Sequence, residues 1–282
     1  MMSTNISAAT STTKRLQGKV AMITGGASGI GKCSAMVFVK QGAKVVIADV
    51  QDELGLSVCK EIGSEETISY VHCDVTCDSD TQNAVDFAVS KFGSLDIMLS
   101  NAGTCDIVDL DPTLPNILVA ENEDFKRGFD VNVFGAFLAA KHAARVMIPS
   151  KKGCILFNSS VASVINLGGD HSYVASKYAL LGLAKNLCVE LGQYGIRVNC
   201  ISPFVVVTPT LRKVMRVMEV DKKKIQEAIS ASANLKEAVL EEEDIAEAAV
   251  YLGSDDGINL VVDGGFSLVN PSFGMAMKSL FP

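Results

Sequence analysis

The chain has 282 residues, 48% hydrophobic and 20% charged, with 23 glycines and 7 prolines. That globular balance excludes a disordered, collagen-like or disulfide-scaffold protein. The net charge of −7, from 25 basic and 32 acidic residues, withholds the positive field that non-specific nucleic-acid binding needs. No apolar run reaches the ~18 residues that suggest a membrane span.

In chain order, residues 1–15 read as a loose tail. The first 13, MMSTNISAATSTT, hold seven Ser/Thr and no acid. A cytoplasmic tail is the expectation, and a short transit leader the other reading. Seven strand-like runs follow: KVAMIT (19–24), KVVIAD (44–49), ISYVHC (68–73), LDIMLS (95–100), CILFNS (154–159), IRVNCIS (196–202) and INLVVD (258–263). Their nearly continuous apolar, β-branched character suits a sheet buried on both faces. Helix-like stretches, such as 80–92 and 177–194, alternate with them. The alternation predicts right-handed βαβ units, one parallel doubly wound sheet of α/β class, and one domain over residues 16–270. The eight cysteines form no C-x-x-C pair and read as reduced, small apolar residues. His72, Cys73 and Cys77 raise the question of zinc, but no second ligand cluster stands at metal spacing, so no metal is expected.

The first chemical signature is Thr24-Gly-Gly-Ala-Ser-Gly-Ile-Gly31, directly after the first strand. Glycines at Gly25, Gly29 and Gly31 let the backbone approach a pyrophosphate, and the helix that follows offers free N–H groups around Ser28 and Ile30. The second strand ends in Asp49, 18 residues after Gly31, where a carboxylate can accept from adenosine ribose hydroxyls. The same charge repels a 2′-phosphate and favours NAD over NADP. A strand-end cap is the bland reading of Asp49.

The second signature is Tyr173-Val-Ala-Ser-Lys177. Four residues apart on a helix, the phenol and the ammonium share a face, and a cation beside a phenol lowers its pKa towards use as a general base. Ser160, thirteen residues before Tyr173 at the end of a strand, can bind the reacting oxygen. Asn101-Ala102-Gly103 after the fourth strand, and Asn132 in DVNVFG, complete the set.

With TGGASGIG, NAG, Ser160…YVASK and NLVVDGG in order, residues 16–270 resemble the short-chain dehydrogenase/reductase family. The run ASANLKEAVLEEEDIAEAAVYLGSD and the DGGFSLVNPSF tail are similar to its plant branch around secoisolariciresinol dehydrogenase. The resemblance implies a single-domain Rossmann fold with a seven-stranded sheet. Tyr173 would be the catalytic acid/base; Lys177 would hold the nicotinamide ribose and tune Tyr173; Ser160 would position the substrate oxygen; Asn132 would support a proton-relay water. Asp74 and Val75 would lie at the adenine. Asn101, Ala102 and Gly103 would line the cofactor cleft, and Pro203, Val206 and Thr208 would border the nicotinamide. A homotetramer is implied as well.

Two departures stand out. The family's Pro-Gly is Pro203-Phe204 here, which predicts an aromatic wall near the substrate. The stretch SDDGINLVVDGG is about five residues short of the family's usual length around Gly257. A lid is expected over residues 203–235, its apolar members Phe204, Val205, Val207, Leu211, Val214, Met215 and Met218 suiting a bulky hydrophobic alcohol; a helix face packed on the core is the alternative. Ile107, Val108, Leu114 and Ile117 are candidates for the opposite wall, and His171 for a substrate contact or a plain loop residue. The apolar tail 271–282 is of a kind that a neighbouring subunit buries.

The expected activity is therefore NAD-dependent oxidation of a hydrophobic secondary alcohol, for instance a terpenoid alcohol such as borneol, to the ketone and back. Lignan, xanthoxin or steroid dehydrogenases would use the same chemistry. An NAD-binding regulatory protein without turnover is the reading from another class.

Overall fold

The computed structural model describes residues 14–105, 116–165, 170–214, 220–236, 238–254 and 260–262. Seven strands form one parallel sheet: β1 (Val20–Thr24), β2 (Lys44–Asp49), β3 (Ile68–His72), β4 (Ile97–Ser100), β5 (Gly153–Asn158), β6 (Ile196–Pro203) and β7 (Leu260–Val262). The spatial order is β3-β2-β1-β4-β5-β6-β7. The order reverses between β1 and β4, and doubly wound sheets open their ligand crevice at such a switch point, beyond the carboxyl ends of the strands.

Helices α1 (Gly29–Lys40), α2 (Asp52–Ile62), α3 (Asp78–Phe92), α4 (Asn116–Val119), α5 (Asn122–Phe129), α6 (Gly135–Ser150), α7 (His171–Gly192), α8 (Pro209–Val214), α9 (Lys222–Ser232) and α10 (Glu242–Ser254) connect the strands. Alternate residues of each strand feed opposite faces, as the period of two requires. Met22, Val46, Met98, Phe157 and Cys200 pack with buried residues of α3, α6 and α7. Ile23, Ile47, Leu99, Leu156 and Ile201 pack with those of α1 and α10. Continuous apolar strands are thus explained by two covered faces.

The last strand is only three residues long, yet Leu260 and Val262 pair with Ile201 and Pro203. The sequence around Gly257 lies outside the described residues, as do the tail 271–282 and the candidate wall residues Ile107, Val108 and Leu114. All eight cysteines are thiols rather than disulfides.

Between α5 and α6 the chain makes a π-helical turn, Asp130–Phe134. Such single turns widen a helix by one residue and occur often at functional sites. The continuous helix 122–150 is long and apolar enough to cross a membrane, but half of its most apolar window is buried in the protein. Core packing accounts for that composition.

Candidate active site

The glycine turn closes the β1–α1 corner against the β4 loop. Gly25 (φ +64°) sits so close to Ala102 that a Cβ there would lie 2.8 Å from the Ala102 Cα, and one on Gly31 would lie 2.1 Å from the Gly25 carbonyl oxygen. Gly29 (φ +50°) lies against Thr208, so the turn also meets the loop after β6. Ser28 caps α1 through its backbone without a side-chain hydrogen bond, leaving the first N–H groups of the helix uncapped by side chains. Asp49 ends β2 in a buried position and accepts from the Ala27 amide (3.0 Å) and the Gln51 amide (3.0 Å). These bonds make the carboxylate a cap on the turn and on the end of the strand.

Asn101 is a peg between strands. Its Nδ2 donates to the carbonyls of Thr24 (3.1 Å) and Gly25 (3.0 Å), and the Thr24 hydroxyl accepts from the amides of Asn101 and Ala102. Gly103 follows at the floor of the crevice. A Cβ there would stand 3.3 Å from Asn132 Oδ1 and 3.6 Å from Lys177 Nζ.

Helix α7 begins six residues before the stretch 177–194 that the pattern suggested. Asp170 caps it, accepting from the Ser172 amide at 2.8 Å. Gly128 of α5 lets Ser172 approach until its hydroxyl donates to the Phe125 carbonyl at 3.0 Å. The helix start is thereby fixed and Tyr173 lies in its first turn. Ser160 lies beside Tyr173 and favours its phenolate; it opens a short 3₁₀ turn and accepts from the Ala162 amide at 3.1 Å. Lys177 Nζ lies 5.4 Å from the centre of the Tyr173 ring and donates to the Asn158 carbonyl at 2.8 Å.

Burial pushes the Tyr173 phenol up to about 12, while Ser160 pulls the other way. Burial pulls the Lys177 ammonium down to about 8. The expected depression of the phenol by Lys177 is not what this geometry produces: the ammonium is turned to a carbonyl, and Ser160 is the group that favours phenolate.

Asn132 is 1% exposed, carried inward by the π-helical turn. Its Oδ1 accepts from the Thr104 amide (2.7 Å), and its Nδ2 donates to the Thr104 carbonyl (2.9 Å) and to the Ser176 hydroxyl (2.9 Å). It ties the β4 loop to α7.

Other candidates sit elsewhere. Phe204 is buried with Val161, Val207, Ile225 and Ile229 under the lid helices, so it packs the lid rather than forming an open aromatic wall. Val206 is buried in the α1–α10 core. Pro203 ends β6. Asp74 is exposed beside β3 and accepts from Thr76, whereas Val75 is buried against Gly135. His171 is the exposed first residue of α7, not a loop residue, and Ile117 is exposed on α4. Met215 and Met218 lie outside the described residues. His72 pairs with Asp52 at 2.7 Å, while Cys73 is buried beside Thr81.

A cavity of about 540 Å³ adjoins Gly103 and is lined by Thr104, Cys105, Asp124, Arg127, Thr210, Lys213 and Val214. This lining is more polar than the lid pattern predicted, because Phe204, Val207 and Ile229 spend their apolar surface on packing. Cys105, Lys213 and Asn158 went unnoticed as site residues; the only local sign of Asn158 is a polar residue closing an apolar strand.

A family profile described as enoyl-(acyl carrier protein) reductase matches residues 25–267. The chain is 61% identical to short chain aldehyde dehydrogenase 1 of Euphorbia lathyris, spanning 96% of this chain and 95% of that one. It is 50% identical to secoisolariciresinol dehydrogenase of Forsythia intermedia, spanning 93% of each. With the mitochondrial borneol dehydrogenase of Lavandula x intermedia the identity is 48%, over 93% and 95%. A solved 3-ketoacyl-(acyl-carrier-protein) reductase from Brucella melitensis, complexed with NADH, superposes with a TM-score of 0.76 at 31% identity, covering 89% of this chain and 99% of that one. A parallel sheet with its switch point at a glycine turn, the neighbouring Ser160 and Tyr173, and identity of this extent have one reading: the chain belongs to the short-chain dehydrogenase/reductase family of oxidoreductases, in its plant branch.

Proposed function

We propose that the protein is an NAD-dependent dehydrogenase of a hydrophobic secondary alcohol, of the kind borneol represents, acting reversibly. The neighbouring Ser160 and Tyr173, with Lys177 one helical turn away at the floor of the crevice, carry this reading. The chemistry of the crevice supports a dinucleotide: Gly25 and Gly31 keep the β1–α1 turn tight against Ala102 and the Gly25 carbonyl, and the α1 N–H groups and the Asp49 carboxylate suit a pyrophosphate and ribose hydroxyls. Residues Gly25 to Gly31, Asp49, Asn101 to Gly103, Lys177 and Thr208 would hold it, with Asp74 and Val75 at the adenine end. Bound NAD supplies a hydride acceptor.

Tyr173 takes the hydroxyl proton as the carbinol carbon gives up hydride, and returns it in the reverse direction. Ser160 donates to the developing alkoxide, an interaction strongest where charge develops. A phenol raised towards 12 is a proton donor at neutral pH, so ketone reduction is favoured there and alcohol oxidation gains as pH rises. Lys177 stays charged below about 8 and offers its N–H groups to the ribose. Asn132 holds Thr104 and Ser176 in place around them. Self-association, as a homotetramer, is supported by the exposed Phe134 and Phe137, stacked on the π-turn and α6, and by Tyr178 and Val189 on α7.

An aldehyde substrate is the second reading, favoured by the name of the 61% identical relative; lignans, xanthoxin-type alcohols and steroids complete the range. The test is NADH formation across monoterpenols, lignans, steroids and aldehydes, with Tyr173→Phe as control. Turnover of a monoterpenol that the control loses supports the proposal; NADH binding without turnover on any would replace it with a regulatory role.

A further inference from the structure

Lys177 reaches the crevice through a contact that belongs to none of the expected site residues. Its ammonium donates to the main-chain carbonyl of Asn158, the last residue of β5, at 2.8 Å. The Asn158 side chain in turn donates from Nδ2 to Asn101 Oδ1 at 2.8 Å. This direction is fixed by Asn101 itself, whose Nδ2 is committed to the Thr24 and Gly25 carbonyls, leaving its oxygen as the acceptor. A chain of three residues therefore joins the ammonium on α7 to the glycine turn on the opposite side of the switch point.

Packing alone gives no reason for an amide at this position. Asn158 Oδ1 is buried and has no hydrogen-bond partner among the described residues, a penalty that an apolar residue of similar size would avoid. Groups that break a local rule concentrate where function holds them.

We infer that Asn158 is a positioning residue: its side chain, locked to Asn101, fixes the peptide whose carbonyl holds the Lys177 ammonium over Gly103, ready for the ribose hydroxyls of the cofactor. The inference rests on the proposed role of Lys177. A carbonyl acceptor also favours the charged form of a buried ammonium, so the same contact keeps Lys177 protonated against the burial that lowers it.

The experiment is fluorescence titration of NADH into wild type, Asn158→Ala and Asn158→Gln across pH, with melting temperatures beside it. In wild type, NADH affinity should fall as pH rises through about 8, where Lys177 loses its proton. In Asn158→Ala the dissociation constant should rise about tenfold, and the alkaline fall should begin about one pH unit lower. Asn158→Gln, which keeps an amide donor, should recover part of both. A lowered melting temperature with unchanged NADH affinity and unchanged pH dependence would mean a purely structural residue and overturn the inference. Should Asn158→Ala fail to fold, Asn158→Ser, too short to reach Asn101, carries the same expectation and the same veto. Tyr173→Phe separates the two levels: if it abolishes turnover while the Asn158 variants bind NADH normally, only the positioning role falls.

Discussion

The two ends of the crevice are built on opposite electrostatic principles. At the floor, Ser160, Lys177 and Asn132 are each under 10% exposed, and their polar atoms are spent on Ser176 and on nearby main chain. At the outer rim, beyond the ends of β2 and β3, Asp52 and His72 pair in the open beside Tyr70, whose hydroxyl lies 2.6 Å from both the Asp49 carbonyl and Asp52 Oδ1. Burial moves the floor: the phenol rises to about 12 and the ammonium falls to about 8. Partners move the rim: Asp52 is lowered chiefly by the Tyr70 hydroxyl, and His72 is raised chiefly by Asp52. Proton transfer needs groups whose ionisation the protein has altered, and burial is the stronger lever for that.

The sharpest way to break this contrast is Tyr173→Phe. Removing the hydroxyl should cost at least ~10²-fold in turnover, the usual reach of general acid–base catalysis, while NADH still binds. Near-normal rates with any substrate of the panel would show that the floor is not the proton-transfer site. Next comes the rim. Asp49→Ser combined with Val50→Arg, at an exposed position, should raise the kcat/KM ratio of NADP over NAD by at least about tenfold, since a carboxylate is exchanged for a cation opposite a 2′-phosphate. An unchanged cofactor ratio would strip Asp49 of any role beyond accepting from Ala27 and Gln51.

A smaller effect is expected at Gly103, where a methyl group would fit the protein and intrude on the proposed cofactor cleft. The added Cβ of Gly103→Ala would stand 3.3 Å from Asn132 Oδ1 and 3.6 Å from Lys177 Nζ, so stability should fall by less than ~1 kcal/mol. NADH affinity should drop about tenfold, as a group intruding on a bound surface would cause. A large loss of melting temperature with unchanged affinity would place Gly103 in the fold rather than in the cradle.

How far these features could be read from the chain depends on their range. Seven apolar runs became seven strands because a strand buried on both faces shows itself locally. The glycine turn and the Tyr173–Lys177 spacing are local as well, and both lie at the crevice. The polar bracing was invisible for the opposite reason. Asn158 and Asn101 are 57 residues apart, and nothing near either predicts their meeting. Asn132 could be named, but the π-helical turn that buries it follows from packing between α5, α6 and α7. Phe204 misled because an aromatic residue in place of a glycine looks like a new wall, when the lid had an apolar interior for it to fill. For the lid, composition leaves substrate contact and core packing both open, because it cannot tell an inward face from a cavity-facing one; Phe204, Val207 and Leu211 join the packed side.

The smallest prediction bears on the rim, where sign rather than size is informative. His72 is raised by its bond to Asp52, so the stability that this pair contributes is complete below the unfolded histidine pKa and fades as pH rises through the raised folded value. Asp52 is lowered, so its share is complete above the unfolded carboxylate pKa and fades as pH falls through the lowered folded value. The pair therefore acts only in the acid-to-neutral window between these two limits. His72→Gln should lower the melting temperature slightly inside that window, less in high salt, and not at all above it, because Tyr70 still donates to Asp52. At the floor the slope has the other sign. Lys177 titrates lower in the folded chain than in the unfolded one, so its burial costs stability below about 8, and that cost disappears as pH rises towards its ordinary value. A His72→Gln difference that persists in alkali would mean that the rim, too, is governed by burial, and the contrast between the two ends would collapse.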